Sequence, residues 1–155
     1  MISVDNVLLL RPVVGLNAAD FTRPAPGSTA NAKGLLAVTI YPLNESVADG
    51  FPDLFQRKVQ PMFTDAGITV LATYITERSP NTFPALPVRE DATVFVWMTL
   101  CRDEDDHAHK MAALAASPRW RERAAHLLTP HLDGAPEHLR LTPTARSLIH
   151  YESVS

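Results

Sequence analysis

The order of apolar patterns along the chain predicts an α+β fold, a ferredoxin-like split βαβ unit that forms a dimeric α/β barrel. Two observations carry this. From residue 35 onward the patterns run strand, helix, strand, strand, helix pair, strand, which is the split βαβ order. The strand at 93–101 is apolar on both sides, with Val94, Val96, Met98 and Leu100 on one and Phe95, Trp97 and Cys101 on the other. A sheet with helices on one face and water on the other would alternate apolar with polar residues. Something must therefore cover the second face, and the sheet of a second unit is the simplest cover.

Residues 4–14 read as a strand, since Val7, Leu8, Leu9 and Leu10 form a short apolar run that stops at Arg11-Pro12. Residues 15–34 carry Gly15, Gly27 and Gly34 with Pro24 and Pro26 and show no period. They are expected to be a linker, long for the inside of a compact domain. Residues 35–41 form the next strand, ended by Pro42. Ser46 and Asp49 are candidate N-caps for the helix that follows, and Pro52 suits its first turn. Phe51, Leu54, Phe55, Val59, Met62, Phe63 and Ala66 make one apolar stripe. Pro61 should kink the helix and Gly67 should stop it.

Residues 68–76 form a β-branched strand, and residues 79–90, with Pro80, Pro84 and Pro87, a long connection to the strand at 93–101. Asp103 to Asp106 open a helix through about Ala116. Ser117-Pro118 then restarts a helix as cap and first residue. Its buried face is Trp120, Ala124, Leu127 and Leu128, and Asp133-Gly134 ends it. The last strand is expected at 138–142. The division is thus a leading strand at 1–14, a linker at 15–34 and the ferredoxin-like domain at 35–150.

Composition narrows the function classes. A net charge of -3 with scattered basic residues lacks the basic stripe that tracks a phosphate backbone, so no nucleic-acid partner is expected. Apolar runs fall far short of the roughly 18–20 residues of a spanning helix, and the first residues lack the basic start and cleavage site of a secretory signal. The lone Cys101 allows no internal disulfide, which suits a reducing compartment. A cytoplasmic protein without membrane contact is the expectation. GxSxG, GxGxxG, P-loop and CxxC patterns do not occur, and no cofactor is expected.

His107 and His109 follow four acids and suggest metal ligands, but on a helix they point about 200° apart and cannot share an ion. Acids at a helix start complement its dipole, so no metal site is expected. The candidate pocket residues are Tyr41, Tyr74, Glu77, Arg78, Trp97, Trp120 and Arg146. Glu77 and Arg78 end a strand and could orient a ligand as a carboxylate–guanidinium pair, or simply clamp the proline-rich loop. Arg146 could line a barrel rim or hold the C-terminal tail. Trp97 and Trp120 are core aromatics or cavity walls. Tyr41 and Tyr74 could present phenols as general acids, or be core tyrosines with satisfied hydroxyls.

The stretch from Thr76-Glu77-Arg78-Ser79-Pro80-Asn81 through Val88-Arg89-Glu90 to Val94-Phe95-Val96-Trp97, then Ala115-Ala116-Ser117-Pro118-Arg119-Trp120 and Leu139-Arg140-Leu141-Thr142-Pro143-Thr144-Ala145-Arg146, resembles the C-terminal repeat of bacterial two-repeat NIPSNAP-family proteins. Asp5-Asn6-Val7-Leu8-Leu9-Leu10-Arg11-Pro12 is similar to the end of the first repeat and echoes His138–Pro143 of this chain. The resemblance implies a chain beginning inside a two-repeat design, and a second copy standing in for the missing sheet as a homodimer. It implies a dimeric α/β barrel of undefined activity that binds a small molecule or a protein partner. Fold-level analogy adds an alternative, a cofactor-independent enzyme of monooxygenase or isomerase type acting in the barrel cavity.

Overall fold

A computed structural model describes residues 7–27, 32–83, 85 and 87–151. Residues 4–6 of the expected leading strand, 28–31 of the linker and 84 and 86 of the proline-rich connection lie outside the described residues. Five strands, β1 (Leu10–Val14), β2 (Leu35–Pro42), β3 (Ala72–Thr76), β4 (Val94–Cys101) and β5 (Glu137–Leu141), form one sheet in the order β1-β3-β4-β2-β5. Every neighbouring pair is antiparallel. Without β1, the order β3-β4-β2-β5 with helices after β2 and β4 is the ferredoxin-like split βαβ unit. The leading strand does not hang free: β1 extends the sheet at its β3 edge, with Leu10 opposite Thr76 and Pro12 opposite Tyr74. Pro12 is tolerable there because an edge strand leaves one row of N–H groups unpaired.

The helical segment after β2 starts earlier than its sequence suggests. Asn44 caps it, its side-chain oxygen accepting from the Ser46 N–H at 3.2 Å, ahead of Ser46 or Asp49. A 3₁₀ stretch (Glu45–Gly50) leads into α1 (Phe51–Leu54), a π-helical turn (Phe55–Val59) and α2 (Gln60–Asp65). The expected effect of Pro61 takes the form of that wide turn. Pro61 has no N–H to bond four residues back, and Gln60 N–H reaches five residues back to the Phe55 carbonyl. With this register Phe51, Phe55, Val59, Met62 and Phe63 all stay buried.

Gly67, at φ +78°, closes α2 in a Schellman motif. Ile68 N–H bonds the Phe63 carbonyl at 2.9 Å and Gly67 N–H the Thr64 carbonyl at 3.0 Å, while the Phe63 and Ile68 side chains are both buried. After β4, Asp103 caps α3 (Glu104–Ala116) by accepting from Asp106 N–H at 2.8 Å. Ser117 caps α4 (Pro118–Leu128), with Pro118 in its first turn.

The sheet has two apolar faces, as its central strand requires. On the helix side, Tyr41, Ile75, Phe95 and Trp97 pack against Phe51, Phe55, Phe63 and Leu114. On the other side, Val38, Val94 and Val96 form a second cluster with Leu36, Ile40, Tyr74 and Met98. The chain itself provides part of the cover for this open face. Leu8 and Leu10 pack on the second cluster, and Phe21 and Leu148 border a cavity of about 340 Å³ over Leu36, Leu100 and Leu141. Leu139 and Leu141 of β5 stay 40% and 48% exposed, which marks where this cover ends. Among the described residues no helix is long and apolar enough to cross a membrane.

The Gly67 turn supplies a direct test. An added Cβ would meet nothing within 4 Å, so Gly67→Ala pays only for the left-handed backbone. It should lower unfolding stability by about 1–2 kcal/mol, read from urea melts as a shifted midpoint with unchanged slope.

Candidate functional site

Helices α1 and α2 fill the helix side of β3 and β4 with phenyl rings, but α3 and α4 do not fill the space over β2 and β5. The cause is readable in β5, whose side chains facing the helices are His138 and Arg140 where a core would place apolar groups. A cavity of about 460 Å³ remains there, between β2, β5 and the helix pair. Its volume is within the range of small-molecule sites.

Each wall follows from local sequence. Strand β2 turns Thr39 and Tyr41 to this side by its two-residue period. Strand β4 contributes Trp97, whose ring lies 4.5 Å from that of Phe63 by centroids, and Phe63 lies 5.4 Å from Trp120 of α4. The result is a wall of aromatic rings. Helix α3 presents His107, Met111, Leu114 and Ala115, the i, i+4, i+7, i+8 positions of one face. His109 falls elsewhere and is exposed, so the two histidines are separated as the helical period demands.

At the buried end, Tyr41 is 4% and Trp97 5% exposed. Burial pushes the Tyr41 phenol up to about 12, a rise that the nearby Trp97 indole slightly offsets. The indole Nε1 is nevertheless without an acceptor in hydrogen-bond geometry; it neighbours the phenol oxygen but does not bond it. At the open end, Thr39 Oγ1 lies 3.2 Å from His138 Nδ1, and Arg140 pairs with Glu104 across the gap between β5 and α3 at 3.3 Å. Desolvation first, then the positive Arg140 and its neighbours, lowers the pKa of His107, while Glu104 raises it. His107 is thereby biased to the neutral imidazole.

Of the seven residues singled out from sequence, Tyr41, Trp97 and Trp120 meet in this cavity. Tyr74 lies on the opposite face of the sheet, against the second apolar cluster. Glu77 and Arg78 border a separate cleft of about 430 Å³ beside the proline-rich connection. They do not pair with each other. Glu77 accepts from Ser79 N–H at 2.9 Å and Ser79 Oγ at 3.0 Å, bonds that hold its carboxyl below its usual range, and Arg78 reaches Asp49 at 3.6 Å. Arg146 is exposed in the turn that Thr144 N–H closes on Ser147 Oγ at 2.9 Å. Among the described residues no group of three or more His, Cys, Asp or Glu is placed to hold a metal ion. Buried Cys101 has its thiol pKa raised chiefly by desolvation.

The sequence reading did not assign Thr39, His138 or Arg140 to a site, and it weighed His107 only as a metal ligand. The spacing of His107 with Met111 and Leu114 was the available signal for one of them.

The phenol gives a pH prediction. Below its ordinary value of 10.0 Tyr41 is neutral folded and unfolded, and between there and about 12 only the unfolded chain releases the proton. Stability should therefore fall over that window, by up to roughly 2–3 kcal/mol. Alkaline unfolding titrations should show a smaller fall over that window for Tyr41→Phe than for the wild type, the remainder coming from groups such as the buried Cys101 thiol.

Neither a family model nor a curated protein matches this sequence. Solved structures do match its fold. A NIPSNAP-like domain protein from Burkholderia xenovorans superposes over 79% of this chain and 97% of its own, at 20% identity and a TM-score of 0.60. A NIPSNAP family protein of unknown function from Agrobacterium tumefaciens does so over 83% and 100%, at 14% identity and a TM-score of 0.60. A second NIPSNAP domain protein from Burkholderia xenovorans follows over 72% and 95%, at 19% identity and a TM-score of 0.56. At such identities the likeness is one of architecture: this chain has the α+β, ferredoxin-like fold of the NIPSNAP structures.

Proposed function

We propose that this chain is a NIPSNAP-like small-molecule-binding domain of the cytoplasm that works as a pair of copies. The observation that carries the binding role is the cavity of about 460 Å³ beside Tyr41 and Trp97, where aromatic walls surround a few convergent polar groups. Binding is favoured over catalysis in a barrel between two sheets, because Tyr41, Tyr74, Glu77 and Arg78 stand in three different places and form no joint constellation. A native mass spectrum of the protein purified from cells tests the role. The wild type should retain a small-molecule adduct, and Met111→Trp, which fills the cavity from α3, should lose it while melting normally. A wild type that carries nothing and binds no member of an aromatic fragment set would sink the reading.

Pairing rests on the open face. Leu139 and Leu141 are exposed beside the buried Val38 and the half-buried Leu36, an apolar strip on the side that no helix covers. A second copy laid sheet to sheet would cover it and close a barrel, and a two-fold axis makes that contact self-complementary. The solved NIPSNAP structures are spanned nearly end to end by this one unit. We read β1 as the end of a preceding repeat, held on the β3 edge. Sedimentation should show a dimer. The double variant Leu139→Glu, Leu141→Glu should weaken it by about tenfold or more, and a stable wild-type monomer would overturn pairing.

A further inference from the structure

We propose that the cavity between β2, β5 and the α3–α4 pair takes a flat aromatic molecule whose buried end carries an acceptor oxygen, carbonyl or carboxylate, and that it rejects cations. This rests on reading the cavity as a ligand site and adds the chemistry of the occupant. Shape comes from the rings: Phe63 stands tilted by 35° to Trp97 and by 43° to Trp120, and all three line the cavity, so that an aromatic ring can pack against their edges and partial faces.

The polar lining leans toward donors. Thr39, Tyr41, Trp97, His107, His138 and Arg140 line the cavity; each can donate a hydrogen bond, Trp97 and Arg140 can only donate, and Arg140 brings a fixed positive charge. Among the described residues no carboxylate or carboxamide lines it. Glu104, across the gap between β5 and α3, already accepts from Arg140, and Asp106 on the same turn of α3 is held by Lys110 at 2.9 Å. Among the described residues a ligand ammonium would find no free anion in the lining and would face the Arg140 guanidinium.

The buried end has donors to spare. The Trp97 indole N–H lacks an acceptor, and the neighbouring Tyr41 hydroxyl stays protonated far into the alkaline range. A hydroxyl can accept and donate at once. An oxygen entering beside Tyr41 receives its O–H, and one that also reaches the indole N–H supplies the acceptor that Trp97 lacks. A ligand without such an oxygen leaves the indole N–H unpaired, as it is in the free protein, and gains no hydrogen bond at this end.

Four probes on one ring system separate the possibilities: 2-acetonaphthone, 2-naphthoate, naphthalene and 2-naphthylmethylammonium, titrated calorimetrically. The two oxygen-bearing probes should bind at least about tenfold tighter than the other two, and their ranking tells a carbonyl from a carboxylate occupant. Tyr41→Phe, nearly isosteric and expected to fold, should erase that selectivity while keeping affinity for naphthalene, and Trp97→Phe should reduce it. Equal binding of all four probes, or preference for the ammonium, would overturn the acceptor rule yet leave the cavity a ligand site. Binding of none would overturn both.

Discussion

Everything in this fold hangs on how the segment after β2 docks on β4. Phe51, Phe55 and Phe63 engage Phe95 and Trp97 through ring contacts between 4.5 and 6.2 Å. Rings at such distances gain from edge and offset geometry as well as from buried area. The interlock requires three phenylalanines on one face across a proline, which a regular α-helix carrying Pro61 would not deliver. The π turn at 55–59 resolves the conflict by giving the backbone one extra residue per turn where the proline cannot donate. Once those rings are seated, β3 and β4 are fixed. The α3–α4 pair then leans on Phe63 through Trp120 at its near end, and the cavity opens at its far end.

Much of this was legible in the sequence because it depended on local rules. Ser117-Pro118 caps and starts a helix wherever it lies, Gly67 stops one, and the doubly apolar β4 could only be a central strand with both faces covered. The edges were harder. Asn44 outcompetes Ser46 and Asp49 as the cap because a 3₁₀ turn precedes α1, and nothing in the apolar stripe foretells that turn. Residues 15–34 have a linker's composition, yet Leu16 and Phe21 border the cavity over the open sheet face. Isolated apolar residues in an aperiodic stretch carry no pattern from which such contacts could be read.

The candidate site was half legible for a related reason. Large aromatics on periodic faces announce themselves, so Tyr41, Trp97 and Trp120 stood out. The polar half, Thr39, His107 and His138, comes from three elements that meet only through the order β4-β2-β5, and a pair such as Thr39 and His138 is ninety-nine residues apart. Glu77 and Arg78 illustrate the converse. Adjacency in sequence suggested a joint role, but neighbouring residues near a strand end part company, one capping its own turn and the other reaching Asp49.

The cavity and the open face are two sides of the same two strands, and this ties binding to assembly. On β2, Val38 points to the open face while Thr39 points to the cavity. On β5, Leu139 and Leu141 alternate with His138 and Arg140. An edge strand exposed along its whole length is held by its pairing to β2, by the Thr39–His138 contact and by the Glu104–Arg140 pair, the last an exposed ion pair of small worth. A ligand that engages His138 from one side and a second copy that packs on Leu139 from the other would restrain the same few residues. Each would then reduce the ordering cost left for the other, so occupancy of the cavity and pairing of the sheets would reinforce one another without any movement of the aromatic core.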